Sequence, residues 1–388
     1  MKKFLAWAAL ILGVASLAFF GFLPPLFESL TNRVTGPQPP AVNARTAALH
    51  KTLQIADMHA DTLLWTRSFL ARGSRGQVDL PRLNEGNVAL QILSSVTKTP
   101  KSQNYDANSD ATDNITLLAI AQGQPRRTWG SLVERSLWHA EKLRRAEAGS
   151  AGALRIVRSR ADLAQLLGDR AQGQRVLGAT LSVEGLQNLE GKRANLDRLY
   201  DAGFRMAGLV HFFDNELAGS MHGVKKGGLT PFGVDIIRAM EAKGMVVDIA
   251  HSSHVTVAQV LKMARKPVVS SHGGVQATCK VNRNLTDDEI RGVAATQGVI
   301  GIGYWDAAVC NNSAGGIVKA IAHVRNLVGI DHVGLGSDFD GAVQTRFDTT
   351  RLDAITQGLI DAGFSDADIA KVMGGNVLRV LASTLPPR

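Results

Sequence analysis

The sequence predicts an α/β protein, a closed (β/α)8 barrel of the TIM type, preceded by a hydrophobic helix. Two observations predict this fold. Short apolar runs alternate with helical patterns along most of the chain, as they do in parallel βα units. In addition, 45% of the 388 residues are hydrophobic and 20% are charged, which is the composition of a globular protein with a large core.

The amino terminus has the features of an export signal. Lys2 and Lys3 precede an uncharged stretch, Phe4 to Leu23, which as a helix is long enough to cross a hydrocarbon core of roughly 30 Å. A single-pass anchor is favoured because strong apolarity continues through Phe19, Phe20 and Leu23, past a possible cleavage site. The two lysines orient the anchor so that the rest of the chain lies on the periplasmic side of the cytoplasmic membrane. The alternative is cleavage after Ser16-Leu17-Ala18, which would release a soluble periplasmic protein.

Prolines and glycines separate this segment from the folded domain. Pro24-Pro25 is expected to end the hydrophobic helix, and Gly36–Pro40 indicates an extended spacer that joins no packed layer. The predicted division is a signal anchor over 1–27, a linker over 28–45 and a barrel over 46–388.

Eight strands are predicted in the barrel, with helical patterns between them. The strands are Leu53–Met58, Val88–Val96, Val176–Val183, Phe204–Val210, Met245–Ala250, Pro267–Ser271, Val299–Trp305 and His332–Ser337. The helical patterns are Asn195–Ala202, Pro231–Lys243, Thr256–Arg265, Asp287–Gln297 and Gly316–Val328, and Thr286 with Glu289 fits a capping box. An insertion over 97–170, with further helical patterns at Leu132–Ala148 and Ala161–Leu167, is expected to wall one end of the barrel.

The charge and the cysteines exclude several classes of protein. The net charge is +9, but the arginines are scattered and do not interleave with tyrosine or tryptophan, so no nucleic-acid binding is expected. Cys279 and Cys310 lie outside any CxxC pair, which excludes a zinc ribbon and a thioredoxin motif. The sequence at this point does not decide whether the two cysteines form a disulfide. It also does not decide whether the protein is a homodimer.

Ionisable residues follow most of the predicted strands. His59 and Asp61 share one side of the end of the first strand, because side chains alternate along a strand. Five further candidates follow the third, fourth, fifth, sixth and eighth strands: Glu184, His211, His251, His272 and Asp338. The carboxyl ends of barrel strands meet at one mouth, where barrel enzymes assemble their active sites.

Imidazole and carboxylate groups in this arrangement indicate a metal site. Zinc is favoured among metals, since no thiolate and no redox role is evident. Two cations buried together need a bridging anion, and Glu184 is the candidate for that bridge. Asp57 is interpreted as a residue that positions a ligand rather than as a ligand.

At these residues the sequence resembles the membrane dipeptidase family, also called renal dipeptidases. The family's enzymes are dinuclear zinc (β/α)8 barrels of the amidohydrolase type, and the resemblance runs from about Ile55 to Val380. The motifs that carry it are Asp57-Met58-His59-Ala60-Asp61, Val183-Glu184-Gly185, Gly228–Gly233, Asp248–His251, Ser271-His272, Asn282–Asp288, Gly336–Gly341 and Gly375–Val380.

The resemblance implies a role for each candidate residue. His59 and Asp61 would hold one zinc ion, His251 and His272 the other, and Glu184 would bridge the two. The remaining implied roles concern substrate and catalysis: His211 binds the substrate and polarises its scissile carbonyl, Arg283 grips the terminal carboxylate, and Asp338 handles the proton. Cys279 and Cys310 sit where secreted relatives form a disulfide.

Other positions carry weaker expectations. Tyr304 and Trp305 end the seventh strand and are candidates for lining the substrate pocket. His222 and His254 are minor candidates for substrate contact, and His332 lies at the opposite end of the barrel. Leu186 and Phe212-Phe213-Asp214 depart from the family's common pattern in ways that concern the shape of the pocket.

The leading hypothesis is an exported zinc dipeptidase that acts on small dipeptides or dipeptide-like molecules. One alternative is another metal-dependent amidohydrolase, such as a deaminase or lactonase. Those relatives typically carry HxH on the first strand, whereas this chain has His59 and Asp61. The other alternative is a periplasmic protein that retains the metals but binds or tailors a metabolite in a biosynthetic pathway, since function belongs to the site rather than to the fold.

Overall fold

The protein, seen here as a computed structural model, folds around a closed barrel of eight parallel strands. The structure describes residues 1–388 apart from the side chains of Lys2, Ala9, Leu12 and Ala15. The strands are β1 Ile55–Ala60, β2 Val88–Val96, β3 Leu154–Ile156, β4 Leu177–Glu184, β5 Phe204–Gly208, β6 Val246–Asp248, β7 Val268–Ser270, β8 Val299–Ile302 and β9 Val333–Leu335. All eight predicted strands are present, with ends that differ by a few residues.

The ring closes through the pairing of β2 with β4. The strand order is β2-β1-β9-β8-β7-β6-β5-β4, and the pairing of β2 with β4 runs from Leu90 opposite Gly178 to Val96 opposite Glu184. The short strand β3 was not predicted, and it pairs with Leu177–Ala179 at the start of β4. Because every ladder is parallel, the residues that follow the strands meet at one mouth.

Helices surround the barrel. They are α1 Lys2–Leu17, α2 Leu23–Thr31, α3 Ala44–Thr52, α4 Leu80–Glu85, α5 Asn114–Ala121, α6 Arg127–Gly130, α7 Leu132–Gly149, α8 Arg160–Ala171, α9 Ala194–Ala202, α10 Pro231–Lys243, α11 His254–Met263, α12 Asp287–Ala295, α13 Asp306–Val309, α14 Ala314–Val328, α15 Asp353–Asp361, α16 Asp366–Ala370 and α17 Asn376–Thr384. The predicted capping box is confirmed, since Thr286 and Glu289 each bond the other's backbone amide at the start of α12.

One cluster of buried side chains fills the lower part of the barrel. Met58, Ile92 and Met206 from three strands pack together with Val377 and Leu381 of α17. This helix therefore covers the amino ends of the strands. The other end of the barrel is the polar mouth. Parts of the insertion, which contains α5 to α8, and of the amino-terminal segment lie at this end.

The amino-terminal segment differs from its prediction. Ala18–Phe22 forms a π-helical turn between α1 and α2, and Pro24 lies in the first turn of α2, where a missing amide hydrogen costs nothing. The prolines therefore begin a helix and do not end one. Among the described residues, no helix combines the length and the apolar character needed to cross a membrane.

Part of the predicted linker packs against the barrel. Glu28 and Asn32 are buried, and the backbone around Val34 pairs with Thr345 in an isolated bridge. The segment between this bridge and α3 has no helix or strand. The division of the chain at residues 27 and 45 stays a prediction.

Candidate metal centre

Four histidines direct their Nε2 atoms at one oxygen of Glu184. The residues are His59, His211, His251 and His272, and their Nε2 atoms lie 3.6, 3.4, 3.0 and 3.2 Å from Oε1 of Glu184. Each of these side chains is almost completely buried. The ends of β1, β4, β5, β6 and β7 supply them, so residues far apart in sequence meet at the mouth of the barrel.

A second group of ligand atoms adjoins the first. His59 Nε2 lies 3.6 Å from Oδ1 of Asp61 and 3.9 Å from Oδ1 of Asp338. Atoms of these three residues lie within 4.8 Å of one another, as do those of His59, Glu184 and His272. The structure thus brings together all the residues predicted from the sequence as metal ligands, with Asp338 beside them.

The donor set fits divalent cations. Nε2 of His59 and Oδ1 of Asp61 are buried and have no hydrogen-bond partner among the described residues. Nε2 of His251 and Nε2 of His272 face each other at 2.9 Å, which is unfavourable for two neutral imidazoles unless a proton or a cation lies between their lone pairs. Imidazole nitrogen and carboxylate oxygen are the ligands that zinc and its first-row neighbours accept.

The pKa values of the carboxyl groups show crowding of negative charge. Burial and the charge of Glu184 raise the pKa of Asp61 to about 6. Burial, with the charges of Asp61 and Glu184, raises the pKa of Asp338 well above its ordinary value. The pKa of His59 is also raised well above its usual range, because Glu184 and Asp61 outweigh the effect of burial. A cation bound here would neutralise this charge.

Two aspartates hold the strand ends in place. The Asp57 carboxylate accepts hydrogen bonds from the backbone amides of His59 and Ser337, both at 3.0 Å, and does not join the cluster of ligand atoms. Asp248 accepts from the backbone amide of Ser271 at 2.9 Å and from its hydroxyl at 2.6 Å. Both carboxylates therefore connect the ends of neighbouring strands, and the bond from the His59 amide agrees with the interpretation of Asp57 as a residue that positions a ligand.

The backbone is constrained at two of the candidate residues. His251 and Asp338 have φ angles of 62° and 60°, in the left-handed region that costs a non-glycine residue about 1–3 kcal/mol. Gly341 approaches Asp338 so closely that a Cβ atom would collide with its carboxylate. Strain at these positions indicates that the surrounding structure fixes the direction of both side chains.

Arg283 lies on the far side of the centre from β2. Its guanidinium stands over the ring of Trp305, 4.7 Å from the ring centre, and Nη2 lies 3.4 Å from the carbonyl oxygen of His272. Nη2 of Arg283 also lies 3.5 Å from Nε2 of His251, and its buried Nε has no hydrogen-bond partner among the described residues. A buried guanidinium in this state is suited to an incoming carboxylate.

Tyr304 does not lie at the site, which corrects its prediction as a substrate-binding residue. Its ring is fully buried and packs between Phe339 and Phe347, at 5.4 and 5.7 Å between ring centres. Successive side chains at a strand end point to opposite sides, so only one of Tyr304 and Trp305 can face the mouth. That residue is Trp305, which contacts Arg283.

His254 and His332 lie away from the cluster, whereas the ring of His222 packs against that of His251, at 5.2 Å between ring centres. His254 bonds Glu289 at 2.6 Å between α11 and α12, and His332 bonds the carbonyl of Gly298 at 3.0 Å near the amino end of β9. His222 is buried behind Phe212, with ring centres 4.7 Å apart. The prediction that His332 lies at the opposite end of the barrel is confirmed.

A cavity of about 650 Å³ opens from the cluster. Glu184, His211 and Asp338 form its floor. Its walls contain residues that the sequence did not single out, among them Phe27 of α2 and Tyr105 of the insertion. Nothing in a single sequence marks such residues, because they belong to loops and to the amino-terminal segment.

A disulfide joins Cys279 and Cys310. Cys279 precedes Arg283 in the loop after β7, and Cys310 follows α13. The bond therefore connects the loop that carries Arg283 with the segment that follows Trp305.

The chain matches a known family over most of its length. Residues 43–385 match the family described as membrane dipeptidase, peptidase family M19. The dipeptidase aclJ of Aspergillus oryzae is 29% identical over 406 residues, which cover 98% of this chain and 88% of that protein. An uncharacterized dipeptidase of Schizosaccharomyces pombe is 28% identical over 319 residues, which cover 80% of this chain and 73% of that protein.

Solved structures share the fold. The probable dipeptidase PvdM from Pseudomonas aeruginosa has a TM-score of 0.74 at 20% identity, covering 88% of this chain and 98% of that one. A metallo peptidase from Rhodobacter sphaeroides, liganded with a phosphinate mimic of the dipeptide L-Ala-D-Ala, has a TM-score of 0.68 at 21% identity. That comparison covers 86% of this chain and 99% of the other.

Proposed function

Because the chain belongs to the membrane dipeptidase family, peptidase family M19, we propose that it is a zinc-dependent dipeptidase. In this proposal it hydrolyses the amide bond of small dipeptides or dipeptide-like substrates outside the cytoplasm. The observation that carries the proposal is the convergence of four imidazole Nε2 atoms on Oε1 of Glu184, with Asp61 and Asp338 beside them.

Two zinc ions are proposed to be held by these residues. His59 and Asp61 would bind one ion, His251 and His272 the other, and Glu184 both. When bound, such ions polarise a carbonyl and lower the pKa of water. The unpaired donor atoms of His59 and Asp61 and the crowded carboxyl groups support this assignment.

Three residues of the chain are proposed to act on the substrate. Asp338 takes the proton from the attacking water and passes it to the amine nitrogen, since its carboxylate lines the cavity beside the candidate ligands, 3.9 Å from Nε2 of His59. Arg283 holds the terminal carboxylate, since its guanidinium faces the cavity without a carboxylate partner among the described side chains. His211, on the cavity floor, orients the scissile carbonyl.

The proposed location is the periplasm or the periplasmic side of the cytoplasmic membrane. The uncharged stretch after Lys2-Lys3 supports export. The disulfide between Cys279 and Cys310 supports it as well, because disulfides persist in oxidising compartments. Fractionation of cells that express the full chain tests the location, and recovery in the cytoplasm would contradict it.

Hydrolysis is tested with the purified full chain. The protein is stripped with a chelator, reloaded with zinc and assayed on a panel of dipeptides, including D-residues at the carboxyl end. We expect turnover that the chelator abolishes and zinc restores. Zinc content by elemental analysis should be about two ions per chain.

Asp338→Asn provides the mutational test. It should lower kcat by about a hundredfold or more and leave the zinc content unchanged, because it removes the group that moves the proton. Asp201→Asn, an exposed position on α9, is the matched control and should behave as wild type. Turnover that survives the chelator, or equal kcat in Asp338→Asn and wild type, would exclude the proposed mechanism.

A further inference from the structure

The cavity is much larger and more apolar than a dipeptide of two small residues requires. A volume of about 650 Å³ falls within the range, about 300–1,000 Å³, of pockets that enclose whole drug-sized ligands. Its apolar wall is built by Leu23 and Phe27 of α2, Trp65 after β1, and Ile115 and Leu118 of α5. The α2 part of this wall lies outside residues 43–385, the region that matches the family.

Buried ion pairs hold α2 at this place. Glu28 of α2 is 1% exposed, and its two carboxylate oxygens accept hydrogen bonds from Nε of Arg67 and Nε of Arg75, both at 2.6 Å. Arg67 also binds the carboxylate of Asp340, which accepts a hydrogen bond from Thr62 at 2.8 Å. The helix is thereby tied to the two loops that carry Asp61 and Asp338.

The chain after α2 is bound to the loop that carries Asp338. The side chain of Asn32 accepts a hydrogen bond from the backbone amide of Ala342 at 2.8 Å. The backbone amide of Thr35 donates to the carbonyl of Thr345 at 2.8 Å, and Thr345 donates back to Arg33 at 3.0 Å. These bonds would remain after cleavage at Ala18. Leu23 and Phe27 therefore stay at the cavity in both the uncleaved and the cleaved protein.

The order of the strands places this wall opposite Arg283. Arg283 follows β7, whereas Ile115 and Leu118 follow β2, and four steps around the ring separate β2 from β7 in either direction. A dipeptide whose carboxylate binds Arg283 therefore extends its amino-terminal half across Glu184 toward α2 and α5. The side chain of that amino-terminal residue is the part of the substrate that reaches the apolar wall.

We propose that the wall of α2 and α5 is a subsite for a large aliphatic or aromatic side chain on the amino-terminal residue of the substrate. This inference rests on the proposed dipeptidase function and specifies its substrate class. Phe27 is the central residue, since it lines the cavity, its ring packs against Trp65 at 6.0 Å between ring centres, and 49% of the residue stays exposed. Burial of a leucine or phenylalanine side chain there favours binding about tenfold or more.

The test compares Phe-Ala with Ala-Ala as substrates. We expect kcat/KM of the wild type to be about tenfold or more higher for Phe-Ala, and we expect Phe27→Ala to reduce this ratio about tenfold. Phe22→Ala is the matched control, because Phe22 belongs to the same segment but is exposed and does not line the cavity. It should leave the ratio unchanged. Leu23→Ala serves as a second test variant, with a half-exposed side chain whose loss should not affect folding.

Binding of phosphinate mimics separates this inference from the proposed function. The Kd values of the Phe-Ala and Ala-Ala mimics are measured by calorimetry for the wild type and both test variants. A wild type that turns over no dipeptide would exclude the hydrolysis, whereas the ratio of the two Kd values would still measure the subsite. Equal ratios in wild type, Phe27→Ala and Leu23→Ala, or tighter binding of the Ala-Ala mimic by the wild type, would overturn the inference.

Discussion

At the scale of single residues, hydroxyl and carboxylate groups behind the cluster set the direction of the histidine rings. The Ser271 hydroxyl donates to Asp248 at 2.6 Å and lies 2.9 Å from Nδ1 of His272. It also lies 3.4 Å from Nδ1 of His59. One serine thus contacts the outer nitrogen of a histidine from each of the two proposed ligand pairs, and this contact leaves both Nε2 atoms free to face Glu184.

Ser271→Ala should weaken zinc binding. Loss of the hydroxyl frees the rings of His272 and His59 to rotate, and the loss of such a partner typically costs about 10–100-fold in metal affinity. The measurement is competition for zinc with a chelator of known affinity, read by absorbance and independent of turnover.

Ser252→Ala is the matched control for this prediction. Ser252 is likewise adjacent in sequence to a candidate ligand, His251, but its buried hydroxyl has no hydrogen-bond partner among the described residues. Its zinc affinity should equal that of the wild type. An unchanged affinity in Ser271→Ala would show that the rings are held by packing alone.

Sequence reasoning could predict most residues of the centre but not all of its neighbours. Glu184, His251 and Asp338 were recognisable because each follows an apolar run, and parallel strands bring such positions to one mouth. The position of Tyr304 was predicted wrongly. Successive side chains face opposite sides of a strand, but the sequence does not show which of Tyr304 and Trp305 faces the mouth, because the register of the strand is not known. Phe27 gave no signal, since its place at the cavity depends on ion pairs formed far away in the sequence.

At the scale of elements, the loop after β7 is fixed by a covalent link. The disulfide joins Cys279 and Cys310, which are 31 residues apart in sequence. The segment between them contains Arg283 and Trp305. Asn284 adds hydrogen bonds to the carbonyls of Cys279 and Ala308 at 2.8 and 2.9 Å. The loop is therefore held at both ends around the arginine proposed to bind the substrate's carboxylate.

Removal of the disulfide should destabilise the protein. For a loop of this length, the chain entropy released in the unfolded state corresponds to about 3–4 kcal/mol in the free energy of unfolding. We expect the double variant Cys279→Ser with Cys310→Ser to lose about this amount in urea unfolding. A reductant should lower the unfolding free energy of the wild type to that of the double variant. It should leave the unfolding free energy of the double variant unchanged. Identical unfolding midpoints for the oxidised wild type and the double variant would contradict this expectation.

The barrel's elements followed from periodicity, whereas the amino-terminal elements did not. The strands of the barrel were predicted because runs such as Val299–Ile302 are short and apolar. The short strand β3 has only three residues and no pattern of its own, so it forms only through its pairing with β4. Pro24 was interpreted as a helix end because the sequence does not show whether a proline lies in the first turn or in the interior.

At the scale of the whole molecule, a lysine of the insertion forms hydrogen bonds with the mouth of the barrel. Nζ of Lys142 in α7 donates to the carbonyl oxygens of Leu63, at 2.6 Å, and of Trp65. Burial and the charge of Arg67 lower the pKa of Lys142 to about 7 from its ordinary value of 10.5. The link between insertion and barrel therefore contains a group whose protonation differs between the folded and unfolded states.

The stability of the protein should consequently rise with pH above neutrality. Between about pH 7 and 10.5 the unfolded chain holds the proton on Lys142 and the folded chain has released it, so the unfolding free energy increases with pH. Below about pH 7 both states are protonated and the contribution is constant. From about pH 7 to about pH 9, the wild type should gain about 2 kcal/mol relative to Lys142→Met.

Urea unfolding of both proteins at the two pH values measures this gain. Other titrating groups cancel in the difference between the two proteins, because the proteins share them. A difference in unfolding free energy that is the same at both pH values would show that Lys142 has an ordinary pKa in the folded state.

By itself, the sequence determined the barrel, its eight strands and most of the side chains that meet at its mouth. These depend on local patterns, since apolar runs define strands and parallel strands bring their carboxyl ends together. The tertiary structure alone decided how α2 reaches the cavity, which of Tyr304 and Trp305 faces Arg283, and where Ser271 contacts the histidines. Those features arise from contacts between segments distant in sequence, and the geometry of such contacts leaves no periodic signal in the chain.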